Sequence, residues 1–152
     1  MTEIRRARQE DAREIGLLRR KTLKERNKND YPKIFLDFLI NENSTKGIIN
    51  KMKKKEIFCA WQGTVLIGTV DLEGNKIGGL FVKSSELGKG IGNQLMDFIE
   101  NYAHSRGFNK VRLYSTKFAV NFYNKRGYTL GKSGYWMLGK SRVKDKVMEK
   151  KL

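Results

Sequence analysis

Three short apolar runs, EIFCAW, TVLIGTVDL and KIGGLFV, follow one another with almost nothing between them. Gln62 and Gly63 separate the first two, and Glu73, Gly74 and Asn75 separate the second two. Both separators have turn chemistry, so the three runs read as an antiparallel meander. The third run leads into the stretch ELGKGIGNQLMDFIE, where Gly88, Gly90 and Gly92 occupy alternate positions. An amphipathic helix opens there at once, with Ile91, Leu95, Phe98, Ile99 and Tyr102 at helical spacing and Gly107 as its stop. Glycine is costly inside regular structure, so three at a helix mouth imply something held close to the backbone.

The remaining elements fit around this centre. Residues 3–8 read as a strand. Residues 10–26 read as a helix whose apolar face carries Ile15, Leu18 and Leu23, with Arg19, Arg20 and Lys24 elsewhere. The single proline, Pro32, marks a turn before a short helix over 32–40, and 46–54 suggest a third helix. After the glycine-led helix, KVRLYS reads as a strand, 117–126 as a helix ended by Gly127, and 127–135 and 143–152 as two last strands. No repeat or linker divides the chain, so its 152 residues are expected to form one domain. With 39% hydrophobic and 11% aromatic residues the chain can bury a core, which excludes wholesale disorder.

No apolar run reaches the length of a membrane span or a signal-peptide core, so a soluble, cytoplasmic protein is expected, with no membrane partner. The lone cysteine, Cys59, excludes a disulfide framework and reads as a small core residue. No His, Cys, Asp or Glu grouping has metal-ligand spacing. The net charge of +16 favours anionic partners such as nucleotides, phosphate esters or nucleic acid. Its lysines are scattered as well as clustered, so nucleic acid is possible but not favoured. Monomer and homodimer both remain open.

The glycine loop lies between a strand and a helix. The first N–H groups of that helix lack intrahelical partners and sit at the positive end of its dipole. Glycines let these groups converge and remove the Cβ atoms that would block approach, which suits a phosphate or pyrophosphate. Lys89 adds a mobile positive charge. The P-loop spacing is absent. The dinucleotide pattern fails as well: its third glycine position falls on Asn93 or on Leu95.

The run Leu87, Gly88, Lys89, Gly90, Ile91, Gly92 after the strand residues Leu80, Phe81 and Val82 resembles the central motif of the GCN5-related N-acetyltransferase (GNAT) family. That motif is Gln or Arg, two residues, Gly, one residue, then Gly or Ala. A second family motif is matched by AVNFYNKRGY, and VMEKKL resembles the family's last strand. The resemblance covers essentially the whole chain. It departs at Leu87, where the family has Gln or Arg, and at Ser84, where proline is frequent.

The resemblance implies an α/β (α+β) fold: a mixed, largely antiparallel sheet of about seven strands flanked by helices, with two splayed central strands. It implies acetyl-CoA as co-substrate. Leu87, Gly88, Lys89, Gly90, Ile91, Gly92 and Asn93 would hold its pyrophosphate, and Leu80, Phe81 and Val82 would pair with its pantetheine arm. Asn121 would contact that arm. Tyr123 would protonate the departing sulfur, and a backbone N–H near Val82 would stabilise the oxyanion.

The general base is left open among Asp71, Glu73, Glu86 and water. Strand alternation puts Asp71 and Glu73 on one face, either flanking an amine or in a solvated turn. His104, near a helix C-terminus, suits capping better than catalysis. The family's acceptor region corresponds to 21–50 and 132–146, where Glu25, Asp30, Asp37 and Glu42 are candidate contacts for a cationic amine. The positive charge fits acidic peptide N-termini or phosphorylated small molecules better than polyamines. The competing readings are a catalytically weak acyl-CoA-binding module and a basic RNA- or ribosome-associated protein, the latter without the aromatic strand signature of common RNA folds.

Overall fold

Turn glycines set the sheet. Gly63 and Gly74 adopt positive φ, 62° and 58°, and reverse the chain between β2 (Glu56–Gln62), β3 (Val65–Glu73) and β4 (Lys76–Val82). The chain's structure is a computed structural model that describes residues 1–138 and 141–152. The meander is antiparallel, as its separators predict. β1 (Thr2–Arg6) adds to β2, and it ends two residues earlier than the sequence pattern suggested.

Beyond β4, the helix α4 (Ile91–Ser105) crosses over to β5 (Lys110–Ser115), which therefore lies parallel to β4. The short helix α5 (Val120–Lys125) precedes the antiparallel pair β6 (Thr129–Leu138) and β7 (Ser141–Lys151). Among the described residues, seven strands run in the order β1-β2-β3-β4-β5-β7-β6. This is the mixed, largely antiparallel sheet that the family resemblance implied.

The two faces carry separate cores. On one, Ile91, Leu95, Met96, Ile99 and Ala103 of α4 pack on Phe58, Ile67, Val70, Leu72 and Leu113. On the other, α1 (Ala12–Arg26) and α3 (Thr45–Met52) bury Ile15 and Ile48 against Ile57, Cys59, Trp61 and Leu66. α2 (Lys33–Glu42) contacts α1 and α3 and contains no fully buried residue. Cys59 is wholly buried, as a core residue should be, and burial pushes its thiol up to about 12.

Two charged residues depart from the sequence expectation. Arg19 is 1% exposed, although the pattern set it off the apolar face of its helix. Asp71 is 2% exposed rather than part of a solvated turn. The two pair in bidentate fashion, Nη2 to Oδ1 at 2.6 Å and Nη1 to Oδ2 at 3.2 Å. Arg19 Nε also donates to Thr69 Oγ1 at 3.1 Å, and Nη2 donates to Gly79 O at 3.3 Å. Burial is tolerable because each charge meets its counter-charge and further hydrogen bonds.

Replacing Asp71 alone leaves a buried guanidinium without its carboxylate. Asp71→Leu is therefore expected to lower unfolding stability by about 3–5 kcal/mol, and Arg19→Met/Asp71→Leu to recover most of that loss. Urea unfolding of the three proteins checks this. A single variant as stable as the parent would refute the buried pairing.

Candidate active site

A strand that bulges beside a strand it has just left must open a gap. Opposite Thr69 and Asp71, β4 spends three steps, Phe81 to Gly78, where β3 spends two. The extra residue is accommodated at Gly79, whose φ is +59°. A Cβ there would collide with the Asp71 carboxylate. Arg19 and Thr69 Oγ1 both donate to Gly79 O, at 3.3 and 2.9 Å, and so fix the bulge. β4 and β5 pair only at Lys76 with Arg112 and at Ile77 with Leu113, then diverge. The bulge, held by a buried ion pair and one left-handed glycine, thus lies at the point where β4 and β5 stop pairing.

The splay opens into a cleft of about 1120 Å³. Leu80, Phe81 and Val82 form one wall, and Tyr114, Ser115, Phe122 and Tyr123 form another. Lys83 N–H donates to Ile67 O of β3 at 2.8 Å. Strand alternation then turns the N–H of Val82 the other way, towards the open edge. Arg26 Nη1 reaches Val82 O at 3.3 Å.

At the far end of β4 lies the glycine loop. Gly88 and Gly90 have φ of +78° and +82°, a conformation that side-chain-bearing residues strongly disfavour. Apart from the chain neighbours, no atom of the described residues lies within 4 Å of where a Cβ would stand on either one. The first bond of α4 is Gln94 N–H to Gly90 O at 3.0 Å, so the N–H groups of Ile91, Gly92 and Asn93 have no helical partner. Open space, free donors and a helix N-terminus coincide here, and the residues fit an anionic diphosphate. Leu87, Gly88, Gly90, Ile91, Gly92 and Asn93 all line the cleft.

The other predicted residues divide. Tyr123 is in the cleft wall. Its ring meets Phe122 at 5.1 Å and Tyr128 at 5.6 Å, both edge-on. Burial pushes its hydroxyl up to about 12, so it stays protonated at neutral pH. Lys89 turns to Glu86, 3.2 Å away, and is not part of the wall. Asn121 is exposed on α5 and also lies off the wall.

Of the carboxylates, Asp71 is committed to Arg19 and Glu73 is exposed at the end of β3, outside the cleft. Glu86 lines the cleft but is paired with Lys89. His104 is exposed in the last turn of α4. Among the proposed acceptor contacts, Asp30 lines the cleft, whereas Glu25, Asp37 and Glu42 do not. In the stretch 132–146, residues 139–140 and most side chains lie outside the described residues.

The sequence reading missed several wall residues: Arg19, Arg26, Tyr31, Lys51, Lys55 and Tyr114. Two signals were available. Arg19 stands four residues from both Ile15 and Leu23 on one helix face, and Asp71 interrupts an apolar strand, so each predicts the other. The Gly78–Gly79 pair inside a strand also marks a bulge. A further network holds Tyr123 from behind. Glu100 of α4, 8% exposed, accepts from Tyr128 Oη at 2.8 Å, Arg126 Nη2 at 3.1 Å and Lys150 Nζ at 2.8 Å.

A family profile described as acetyltransferase (GNAT) domain matches residues 20–139. The chain belongs to the GNAT acetyltransferase family. No curated protein sequence matches it. Among solved structures, a GCN5-related N-acetyltransferase from Rhodopseudomonas palustris superposes with a TM-score of 0.89 at 19% identity, covering 100% of this chain and 96% of that one. The N-acetyltransferase PaiA from Thermoplasma acidophilum, solved in complex with coenzyme A, gives 0.80 at 23% identity, with coverage of 100% and 99%. An aminoglycoside 6'-N-acetyltransferase complexed with coenzyme A gives 0.74 at 16% identity, with coverage of 98% and 96%. At these identities the likeness establishes a shared fold.

The buried phenol can be tested directly. In alkaline absorbance titration, the signal lost in Tyr123→Phe is expected to rise near pH 12, not near the ordinary value of about 10. The folded state holds this proton more tightly than the unfolded one. The resulting stabilisation is full below about pH 10 and is lost as pH rises through the folded value. Circular dichroism tracks unfolding in parallel. A difference signal centred near 10 would show a solvated phenol.

Proposed function

We propose that residues 1–152 act as a single acetyl-CoA-dependent N-acetyltransferase domain, moving an acetyl group to a primary amine of a small molecule or a peptide N-terminus by direct attack in a ternary complex. One observation supports the reading: where β4 and β5 splay, a free strand edge, the open backbone at Gly88 and Gly90 and the buried phenol of Tyr123 line a single cleft. The coenzyme A held by the similar PaiA and aminoglycoside N-acetyltransferase structures supports it.

Bound acetyl-CoA supplies an acyl group activated as a thioester. The N–H groups of Ile91, Gly92 and Asn93, with the open backbone at Gly88 and Gly90, hold its diphosphate. Because those donors are backbone groups, Leu87 in place of Gln or Arg leaves the cradle intact. Leu80 offers its outward N–H and C=O groups to the amides of the arm, as an added strand would. The Val82 N–H then meets the charge that develops on the acetyl oxygen. Tyr123 keeps its proton until the sulfur leaves and gives it to the thiolate. With Asp71 and Glu86 committed and Glu73 outside the cleft, water carries away the proton of the acceptor amine.

Two measurements test this. Acetyl-CoA at about 100 times its Kd should stabilise the fold by about 2.7 kcal/mol, beyond any shift given by pyrophosphate at the same ionic strength. Gly90→Val should remove that shift by filling the cradle. Gly107→Ala, at another positive-φ site with open space (φ +93°), should keep it. Tyr123→Phe should lower kcat by roughly 100-fold with acetyl-CoA binding retained. If acetyl-CoA stabilises no more than pyrophosphate does, the assignment fails.

A further inference from the structure

The cleft has a second cationic region that the acetyl donor does not need. Lys51, in the last turn of α3, and Lys55, just beyond it, line the cleft with Gly78, Gly79 and Tyr114. This is the end where β4 and β5 meet. Val82, next to the diphosphate loop, lies four strand steps from Gly78, roughly 13 Å along the chain. A single group therefore cannot serve both ends.

Among the described residues, no ion pair closes on Lys51 or Lys55. Burial, then Lys55 and Arg19, disfavour the charged form of Lys51, and Asp71 and Glu42 only partly offset this. Lys76 stands close by, its Nζ 4.7 Å from the centre of the Tyr114 ring. Burial and Lys55 disfavour its charge as well, against the opposing influence of Glu73. Two ammonium groups thus line one end of the cleft, with Lys76 beside them across from Glu73, and the one carboxylate that lines this end, Asp71, is already bound to Arg19.

Elsewhere in the cleft Arg26 is spent on Val82 O, and the remaining charges are more evenly matched. A side cavity of about 450 Å³ beside Tyr31 is lined by two carboxylates, Asp30 and Asp145, and two lysines, Lys117 and Lys146. Glu86 is paired with Lys89. The two lysines without an ion pair lie together at the strand junction, on the side of the sheet covered by α1 and α3.

We propose that the acceptor is a small amine that also carries an anionic group, carboxylate or phosphate, and that Lys51 and Lys55 receive that group while its amine points along β4 towards Val82. An anion placed between the two lysines removes their mutual repulsion and regains part of what their desolvation costs. A second ammonium on the acceptor would meet like charge there and be rejected. The inference rests on the acetyltransferase reading and narrows its substrate class.

Matched acceptors test it. Release of the CoA thiol is followed with phosphoethanolamine against ethanolamine, with amino acids against their amides, and with 1,4-diaminobutane as the dicationic case. The anionic member of each pair is expected to give a kcat/KM higher by roughly tenfold or more, mainly through KM. The phosphate and carboxylate pairs decide between the two anions. Lys51→Gln/Lys55→Gln should bring each pair close to parity while keeping the acetyl-CoA stabilisation, which also shows that the variant is folded. If no member turns over, calorimetric binding of the same compounds to the CoA-loaded protein decides between them by the same comparison.

Three results overturn the proposal: equal or better use of the neutral or dicationic amines, a preference that survives the double substitution, or loss of acetyl-CoA stabilisation in the double variant, which would assign the lysines to the donor. Failure of the parent protein to respond to acetyl-CoA would instead sink the underlying acetyltransferase reading.

Discussion

The Arg19–Asp71 ion pair is the constraint from which the cleft follows. A parallel pair of central strands would normally continue to hydrogen-bond along its length. Here β4 is forced to bulge, because Gly79 must turn its carbonyl to the buried guanidinium while the Asp71 carboxylate occupies the space a Cβ would need. Four of the five guanidinium N–H groups are satisfied in this knot, and its Cζ lies 5.2 Å from the centre of the Phe81 ring. An apolar replacement of similar volume could match its stability. It would leave Gly79 O to Thr69 Oγ1 alone and remove the carboxylate that fills the space beside Gly79. The pair is better understood as a specifier of strand geometry than as a source of stability.

A second dependence runs through α4. Its N-terminus presents the free N–H groups of the glycine loop, and its inner face carries the core. Glu100, two turns further on, gathers Tyr128, Arg126 and Lys150. Tyr128 is the ring against which Tyr123 packs. One rigid helix therefore sets the distance between the anion cradle and the phenol. Burial and the Glu100 carboxylate raise the Tyr128 hydroxyl above its ordinary value, which keeps it a donor and the junction intact.

Local chemistry was legible in the sequence; long-range complementarity was less so. The meander could be read from turn residues, α4 from its periodicity, and the loop from glycines whose positive φ only glycine tolerates cheaply. Tyr123 was legible through a motif and proves to be in the wall. Asn121 occupies the same short helix, but a helix of six residues turns neighbouring side chains to different sides, and Asn121 faces outwards. Arg19 and Asp71 were misread for the same reason: a charge is scored as exposed unless its partner is known, and these partners are 52 residues apart. Periodicity places a residue on a face, and only the tertiary fold says which faces meet.

The net charge of +16 shows how little a total can say. Most of these groups are exposed, and beyond about 8 Å at physiological salt their fields are largely screened. What distinguishes Lys51 is its surroundings: it is partly desolvated, next to another lysine, and the closest acid is already taken. A charge in that position acts on whatever enters the cleft at close range and in a low dielectric, where screening is weak. The exposed lysines affect how fast an anionic molecule approaches. In the proposed acceptor site the two at the strand junction would bear on which anionic molecule stays, and they line the cleft beside the bulge.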